Sequence, residues 1–455
     1  MSLKDINYIL SKLRLQRWPF ELKLFFVLSA SFIANFPFSG AEDVINAREN
    51  FDSPSRNDFW GGFAPFFYSL IPSTFLSANT IYALIYLLLI GSGSWGINVF
   101  LQNENSSNQL PKSYLLLALT LIASLFSLQF SRDGTMLAFV WSSIGLFLFF
   151  HSQGFRVLLL FPVTLYVIGI AFRPWFGIVT IPLSIFIIRK LRLISSVSIS
   201  RVFLSLLSLL LMILAPAILD RASVKALGMK SSYPQQQVMI MDASALACLS
   251  AKSSTVDSAI ATLSIISNET NLTKATLCSF FYPQSWASVV FYNVAKSQSQ
   301  NPIRMIEPSN EELYSSFLKK WLSLVAMNPV QYLQTKIMLS SQLLLAGDSR
   351  VSEDQFHKKL LLSPLTILRD LRLFSVLPFL ILILLSTWFW RKSLSKVEAS
   401  AILMFYLFGV TSVAISFIGD NQRYLITISI ITGLLILVQS RTKRILFTSL
   451  SLIHI

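Results

Sequence analysis

The sequence predicts an all-α polytopic membrane protein of about ten transmembrane helices with one mainly helical extracytoplasmic domain. Three observations predict it. Of 455 residues, 54% are hydrophobic and 13% charged, and the mean hydropathy is +0.62, far more apolar than a soluble globular chain. Apolar runs long enough to cross ~30 Å of hydrocarbon recur along the sequence. Lys and Arg collect at the ends of those runs, where the positive-inside rule places them. That placement also accounts for the net charge of +15 without a nucleic-acid partner.

The chain begins MSLKDINYILSKLRLQRWPFELK, in which Ile6, Ile9, Leu10 and Leu13 alternate with Lys4, Lys12, Arg14 and Arg17. Residues 1–23 read as an amphipathic helix on the cytoplasmic face, not as a cleavable signal peptide. Spans are predicted at 24–40, 66–91, 113–130, 134–150, 156–172, 174–188, 202–219, 372–390, 399–418 and 424–440. The pair at 156–188 reads either as two crossings or as one re-entrant hairpin. With the N-terminus inside, inside loops carry groups such as Arg189, Lys190 and Arg192, and Arg441, Lys443 and Arg444. The short outside turns carry only Arg132, Arg173 and Arg423. This bias predicts an even number of spans, with both termini cytoplasmic. It divides the chain into an N-terminal bundle at 24–219 with a first outside loop at 41–65, an outside domain at 220–365, and C-terminal helices with a tail at 366–455.

Within the outside domain, Tyr233-Pro234 predicts a turn and then a helix. Asn310 before Glu311 and Glu312 predicts another helix start. Leu313, Phe317, Trp321 and Leu324 recur there at helical spacing. Asn328-Pro329 caps the next helix, 330–346, which Gly347 ends. Residues 356–373 read as a segment on the membrane surface. The adjacent triplets Asn268-Glu269-Thr270 and Asn271-Leu272-Thr273 match the glycosylation pattern but arise often by chance. The only two cysteines are Cys248 and Cys278, both in this domain. They form either a disulfide in an oxidising compartment or two separate buried thiols.

Soluble-enzyme signatures are missing: the chain has no phosphate-binding glycine loop and only His151, His357 and His454 as histidines, which leaves a Ser-His-Asp triad little to build on. What the sequence does offer is a set of polar residues on one predicted face. The first outside loop gathers Glu42, Asp43, Glu49, Asp52 and Asp58. Later turns read Ser131-Arg132-Asp133-Gly134, Arg173-Pro174-Trp175 and Asp420-Asn421-Gln422-Arg423. Guanidinium groups there suit a phosphate, which they bind as a bidentate fork. A carboxylate suits proton abstraction from an acceptor hydroxyl, with Asp43, or Glu42 in its place, as the base. The simpler readings run beside these. Arg132 and Arg173 can snorkel to headgroups, and Arg423 can anchor at the interface. Asp133 can pair with Arg132 or cap the helix that opens at Gly134. The aromatic group Trp60, Phe63, Phe66, Phe67 and Tyr68 reads first as an interface belt and second as a sugar-stacking surface.

With these residues in view, the acidic first loop, FAPFFYSLI, SRDGTMLAFVWSSIGLFL and FRPWFGIVTIPL together resemble the GT-C superfamily of polytopic glycosyltransferases, and within it an uncharacterised bacterial branch. PQQQVMIMDASALACLS resembles that branch's Gln-Gln plus Asp-Ala segment. FLKKWLSLVAMNPVQYLQTKIMLSSQLLLAG resembles its later Asn-Pro, Tyr-Leu and Lys segment, and Arg423-Tyr424-Leu425 its late-span arginine. The resemblance implies a GT-C-like fold and a polyprenyl-phosphate sugar donor. It implies inverting transfer to a glycan, lipid or protein acceptor in cell-envelope polysaccharide biosynthesis. It places Asp43 or Glu42 at the catalytic acid and Arg132, Arg173 and Arg423 at the donor phosphate, supported by Asp133. The superfamily has metal-dependent and metal-free members; Asp43 beside Glu42 offers part of a divalent-ion site, and no cofactor is otherwise implied. Where the branch has His-Pro at the start of the second span, this chain has Ala64-Pro65, which leaves open a changed acceptor, a changed metal requirement or lost activity.

Two other functions fit parts of the pattern. A polysaccharide polymerase or ligase also carries a large outside segment and arginines. A transporter or flippase for lipid-linked oligosaccharides would instead show paired repeats and mid-membrane charges, whereas the charges here sit at span ends.

Overall fold

The computed structural model describes residues 19–35, 61–70, 78–103, 109–128, 131–155, 157–174, 176–179, 199–281, 290–291, 301–345, 402–407, 409–411 and 422–439. Among these, 82% are helical, in 14 helices with little strand, so the described residues are mostly helical as the apolar periodicity predicts. The first group is α1 (Phe20–Asn35), α2 (Phe63–Ser69), α3 (Ala78–Asn103), α4 (Gln109–Ser127), α5 (Arg132–Ser152), α6 (Leu160–Ala171), α7 (Phe176–Val179), α8 (Ile199–Ala226) and α14 (Gln422–Gln439). The second is α9 (Gln236–Leu249), α10 (Ser253–Leu263), α11 (Lys274–Phe280), α12 (Glu311–Met327) and α13 (Pro329–Leu345), with a small parallel pair of strands, β1 (Val290–Phe291) and β2 (Ile303–Arg304).

The first group is a bundle around α5. Every residue of α5 from Asp133 to Leu148 is buried. Helix α3 packs along it most extensively, with α4, α6 and α14 also in contact. The close approach of α3 and α5 is written in GSGSWG at 91–96: a Cβ on Gly145 would stand 2.0 Å from the Gly93 carbonyl oxygen. Small residues at a helix crossing allow backbones to meet in an apolar medium. Hydroxyl groups tie α1, α3, α4 and α5 together. Ser94 and Thr120 lie 2.8 Å apart, Ser31 and Ser124 2.7 Å apart, and Trp141 Nε1 donates to Ser94 Oγ at 3.0 Å. These buried polar groups thus find partners inside the bundle, as a site without water demands. Phe25, Leu88 and Leu160 point outward and are mostly exposed.

Two helices, Asn79–Asn103 and Arg132–Ser152, are long and apolar enough to cross a membrane. The other predicted spans are not shown as crossings. The run at 66–91 is not one helix: α2 ends at Ser69 and α3 begins at Ala78. Pro72 lies between them, and proline disfavours helix in the residue before it. Helix α6 has 12 residues, ~18 Å at 1.5 Å per residue, too short for ~30 Å of hydrocarbon. Helix α8 runs past the predicted end of the seventh span to Ala226, so residues 220–226 project beyond it. The predicted N-terminal amphipathic helix, the surface segment at 356–373 and the span at 372–390 lie outside the described residues.

The second group is built around α9, which is buried from Met239 to Ala247 and touches α10, α11, α12 and α13. Its signals read correctly. Tyr233 takes φ +51° at the turn before α9. Asn310 accepts from Leu313 N at 3.2 Å at the start of α12. Asn328 separates α12 from α13 and accepts from Thr255 Oγ1 at 2.6 Å. The Gln236 amide, fully buried, receives Ile306 N at 2.8 Å and donates to Ser232 O at 2.9 Å. Cys248 of α9 and Cys278 of α11 form a disulfide.

Candidate functional site

The residues that could carry chemistry meet where α5 begins. Ser131 caps that helix, its Oγ accepting from Gly134 N at 3.0 Å. The cap therefore belongs to Ser131, not to Asp133. Asp133 points instead across to the turn after α6. Arg173 donates from Nε to Asp133 Oδ1 at 2.9 Å and from Nη2 to Asp133 Oδ2 at 3.0 Å. Both side chains are nearly out of water, 8% and 0% exposed. This is the two-pronged guanidinium–carboxylate geometry, formed within the protein. Two expectations change with it. Arg173 does not snorkel to a surface, and its fork is turned to a carboxylate, not to a ligand phosphate. Asp133 pairs with Arg173, 40 positions away.

A second carboxylate completes this end of the bundle. Asp220, on the part of α8 that projects past the predicted span, reaches the segment that closes the first outside loop. Its Oδ1 accepts from Gly62 N at 2.8 Å and from Phe63 N at 3.1 Å. The glycines make the approach possible. A Cβ on Gly61, whose φ is +76°, would stand 2.7 Å from Asp220 Oδ1, and a Cβ on Gly62 would stand 2.2 Å from Val224 N. Burial raises the Asp220 carboxyl above its ordinary value; the Phe63 and Gly62 amides and the charges of Arg221 and Arg132 pull it part of the way back. Arg132 is thus within electrostatic reach of Asp220.

An aromatic cluster joins the two carboxylates. Phe172, next to Arg173, packs edge-on against Phe63 at 5.2 Å and Phe67 at 5.0 Å. Phe67 also meets Tyr82 and Phe139. The Tyr68 and Tyr86 hydroxyls lie 2.7 and 2.8 Å from Thr135 Oγ1. Phe63 and Tyr68 are buried and only Phe66 is exposed. Of the group expected as an interface belt, Phe63, Phe67 and Tyr68 pack inward and set the position of the α5 and α6 termini. Ala64 is 1% exposed inside it, so the position where the resembled branch has histidine is packed here against other side chains.

Asp43, Glu42, Glu49, Asp52, Asp58, Trp60 and His357 lie outside the described residues. Arg423 is in the first turn of α14; its side chain lies outside the description. Among the described residues no group of His, Cys, Asp and Glu could hold a metal ion. Asp220 and the Gly61-Gly62 pair were not singled out in the sequence, although an acid at the outer end of a predicted span was a readable signal.

The second group of helices holds a separate polar cluster. Asp242 of α9 is buried, with Lys336 Nζ 2.6 Å from Oδ1 and Tyr332 donating its hydroxyl to Oδ2 at 3.1 Å. Burial pushes the Asp242 carboxyl up to about 6, against the pull of Lys336, Tyr332 and the nearby Trp321 indole. Trp321 Nε1 makes no hydrogen bond of ordinary geometry. The same burial, with the Asp242 charge, raises Tyr332 far above its usual value. The two stretches that carried the later part of the resemblance, around 235–249 and 317–347, are thereby in contact.

Comparison of the chain with protein-family models, with curated proteins and with solved structures finds no match.

Proposed function

We propose that this chain is a membrane glycosyltransferase that moves a sugar from a polyprenyl-phosphate donor to a glycan, lipid or protein acceptor at the extracytoplasmic face. The observation that carries the reading is the meeting of Arg132, the Asp133–Arg173 pair and Asp220 at one end of an apolar helix bundle. Charged groups in such a setting are costly and are kept where they do chemistry. In the proposed topology about ten helices span the membrane, residues 41–65 and 220–365 lie outside, and both termini lie in the cytoplasm of a bacterial cell. The Cys248–Cys278 disulfide supports an oxidising compartment for the 220–365 domain.

In this reading Arg132 faces the donor phosphate and offsets the charge that grows on it as the anomeric bond breaks. Arg173 holds Asp133 and fixes the α5 terminus that carries Arg132. Arg423 is a further phosphate contact. The acceptor hydroxyl loses its proton to a carboxylate at the same end; Asp43 and Glu42 are the first-loop choices, and Asp220 is another.

The test is direct. Purified protein in lipid, given a panel of polyprenyl-phosphate hexoses, releases polyprenyl phosphate, and Arg132→Gln raises the donor KM about tenfold or more. Absence of release across the panel refutes the reading. Release from lipid diphosphate-linked glycans alone would instead favour a polymerase or ligase.

A further inference from the structure

We infer that Asp220 is the proton acceptor of this site, the catalytic carboxylate that takes the acceptor hydroxyl's proton through Oδ2. The inference rests on the transferase reading and names its base. Two carboxylates stand at this end among the described residues. Asp133 has both oxygens engaged by Arg173 and is fully buried, away from any surface a substrate could reach. Asp220 has one oxygen held: Oδ1 receives two backbone N–H groups, and no hydrogen bond from the described residues reaches Oδ2. A carboxylate fixed by one oxygen and open at the other is oriented without being consumed, as a general base must be.

Sequence and backbone are arranged to permit it. Any side chain at Gly61 or Gly62 would strike Asp220 Oδ1 or the α8 backbone at Val224, and would lift the two amides away from the carboxylate. Arg132 sits near enough to feel the Asp220 charge. The group that bears the departing phosphate and the group that takes the proton therefore occupy one end of the bundle. The step balances. The acceptor oxygen bonds to the anomeric carbon and gives its proton to Asp220 Oδ2. The bond from that carbon to the phosphate oxygen breaks, and its electron pair leaves on the phosphate. The proton then passes to water and restores the carboxylate.

The bland alternative is a tether, in which Asp220 only pins residues 62–63 to α8. Asp220→Asn separates the two, because its amide oxygen still accepts both N–H groups while Oδ2 becomes an NH2 that cannot take a proton. The full-length protein in lipid is assayed for release of polyprenyl phosphate from polyprenyl-phosphate hexoses, with Asp257→Asn, an exposed acid on α10, as the control for handling. The expected result is a loss of about 10²–10⁴-fold in kcat with KM within about twofold. The fall of the wild-type rate toward acid pH should be missing from the residual activity. Asp220→Asn at the wild-type kcat overturns the base assignment and leaves the transferase reading standing. No release by the wild type overturns both. If the Asn variant does not fold, carbodiimide inactivation of the wild type decides: loss of activity with modification mapped to Asp220 supports the inference, and loss with Asp220 unmodified overturns it.

Discussion

Lys336 Nζ lies 2.6 Å from Asp242 Oδ1, with the two side chains 9% and 0% exposed, where α13 crosses α9. Neither helix would tolerate its charge alone at that depth. Removing the cation by Lys336→Met leaves a buried carboxylate without its countercharge, which costs about 3–5 kcal/mol. The loss should be greatest near pH 8 and smaller near pH 5, where Asp242 can take up a proton instead. Thermal unfolding at the two pH values checks this; equal losses at both would show that Asp242 is not the group left unpaired.

The same carboxyl makes a prediction about pH in the unaltered protein. Its folded value, about 6, is above the ordinary 3.8, so between those values the folded state binds more protons than the unfolded state. Stability from this group is therefore full below pH ~4 and is lost as pH rises through ~6, by on the order of 3 kcal/mol. Asp242→Asn removes the titration. The wild type should lose stability relative to that variant from pH 4 to 6 and keep a constant offset from pH 7 to 8.

Arg173 and Asp133 allow a double-mutant cycle. Each single change, Arg173→Met or Asp133→Leu, strands one buried charge and should cost about 3–5 kcal/mol. The double variant should cost less than the sum, because both charges leave together. Chemical unfolding of the four proteins gives the coupling. Strict additivity would mean that the two-pronged contact does not hold α5 to α6.

How much of this was legible beforehand differs by element. The turn at Tyr233-Pro234, the Asn310 start and the Asn328-Pro329 break were readable because each rests on local backbone chemistry. Arg132 and Arg173 were readable as charges at the ends of apolar runs, but their partners were not. Asp133 lies beside Arg132 in sequence, yet helical geometry turns it toward Arg173, 40 positions away. Asp220 went unnoticed because its partners are main-chain amides 157 and 158 positions earlier, and an amide leaves no mark on a sequence except the glycines that expose it. The aromatic run after Trp60 matched an interface belt in composition; only the position of Phe172 shows that Phe63, Phe67 and Tyr68 pack inward.

Gly62 tests the contact between the first loop and α8. An added Cβ would stand 2.2 Å from Val224 N and 2.7 Å from Asp220 O, both main-chain atoms of a helix and unable to rotate aside. Gly62→Ala should therefore push residues 61–63 off α8 and cost about 1–3 kcal/mol. By separating Asp220 from its two amides it should also lower kcat more than any other single methyl added to α2. Gly62 takes φ −92°, so its substitution brings collision without strain; Gly154, with nothing within 4 Å of its would-be Cβ but a φ of +75°, is a control for stability loss away from the site. Gly154→Ala carries the backbone strain without the collision, so it should cost stability while leaving the rate unchanged. A rate loss of equal size in both variants would show that the Gly62 effect is general destabilisation.

The disulfide tests the side of the membrane. Cys248 and Cys278 close a loop of 30 residues between α9 and α11, and such a bridge contributes about 2–4 kcal/mol. In intact spheroplasts, a reductant that cannot cross the membrane followed by an impermeant maleimide tag should label both positions. The tag alone should label neither, because both thiols are engaged. Labelling that appears only after permeabilisation would put the 220–365 domain in the cytoplasm, reverse the proposed topology, and move Arg132, Arg173 and Asp220 to the inner face with it. In the expected orientation, reduction should lower the unfolding temperature of the outside domain. The Asp133–Arg173 pair should be unaffected, since α5 and α6 belong to the bundle and neither packs extensively on a cysteine helix.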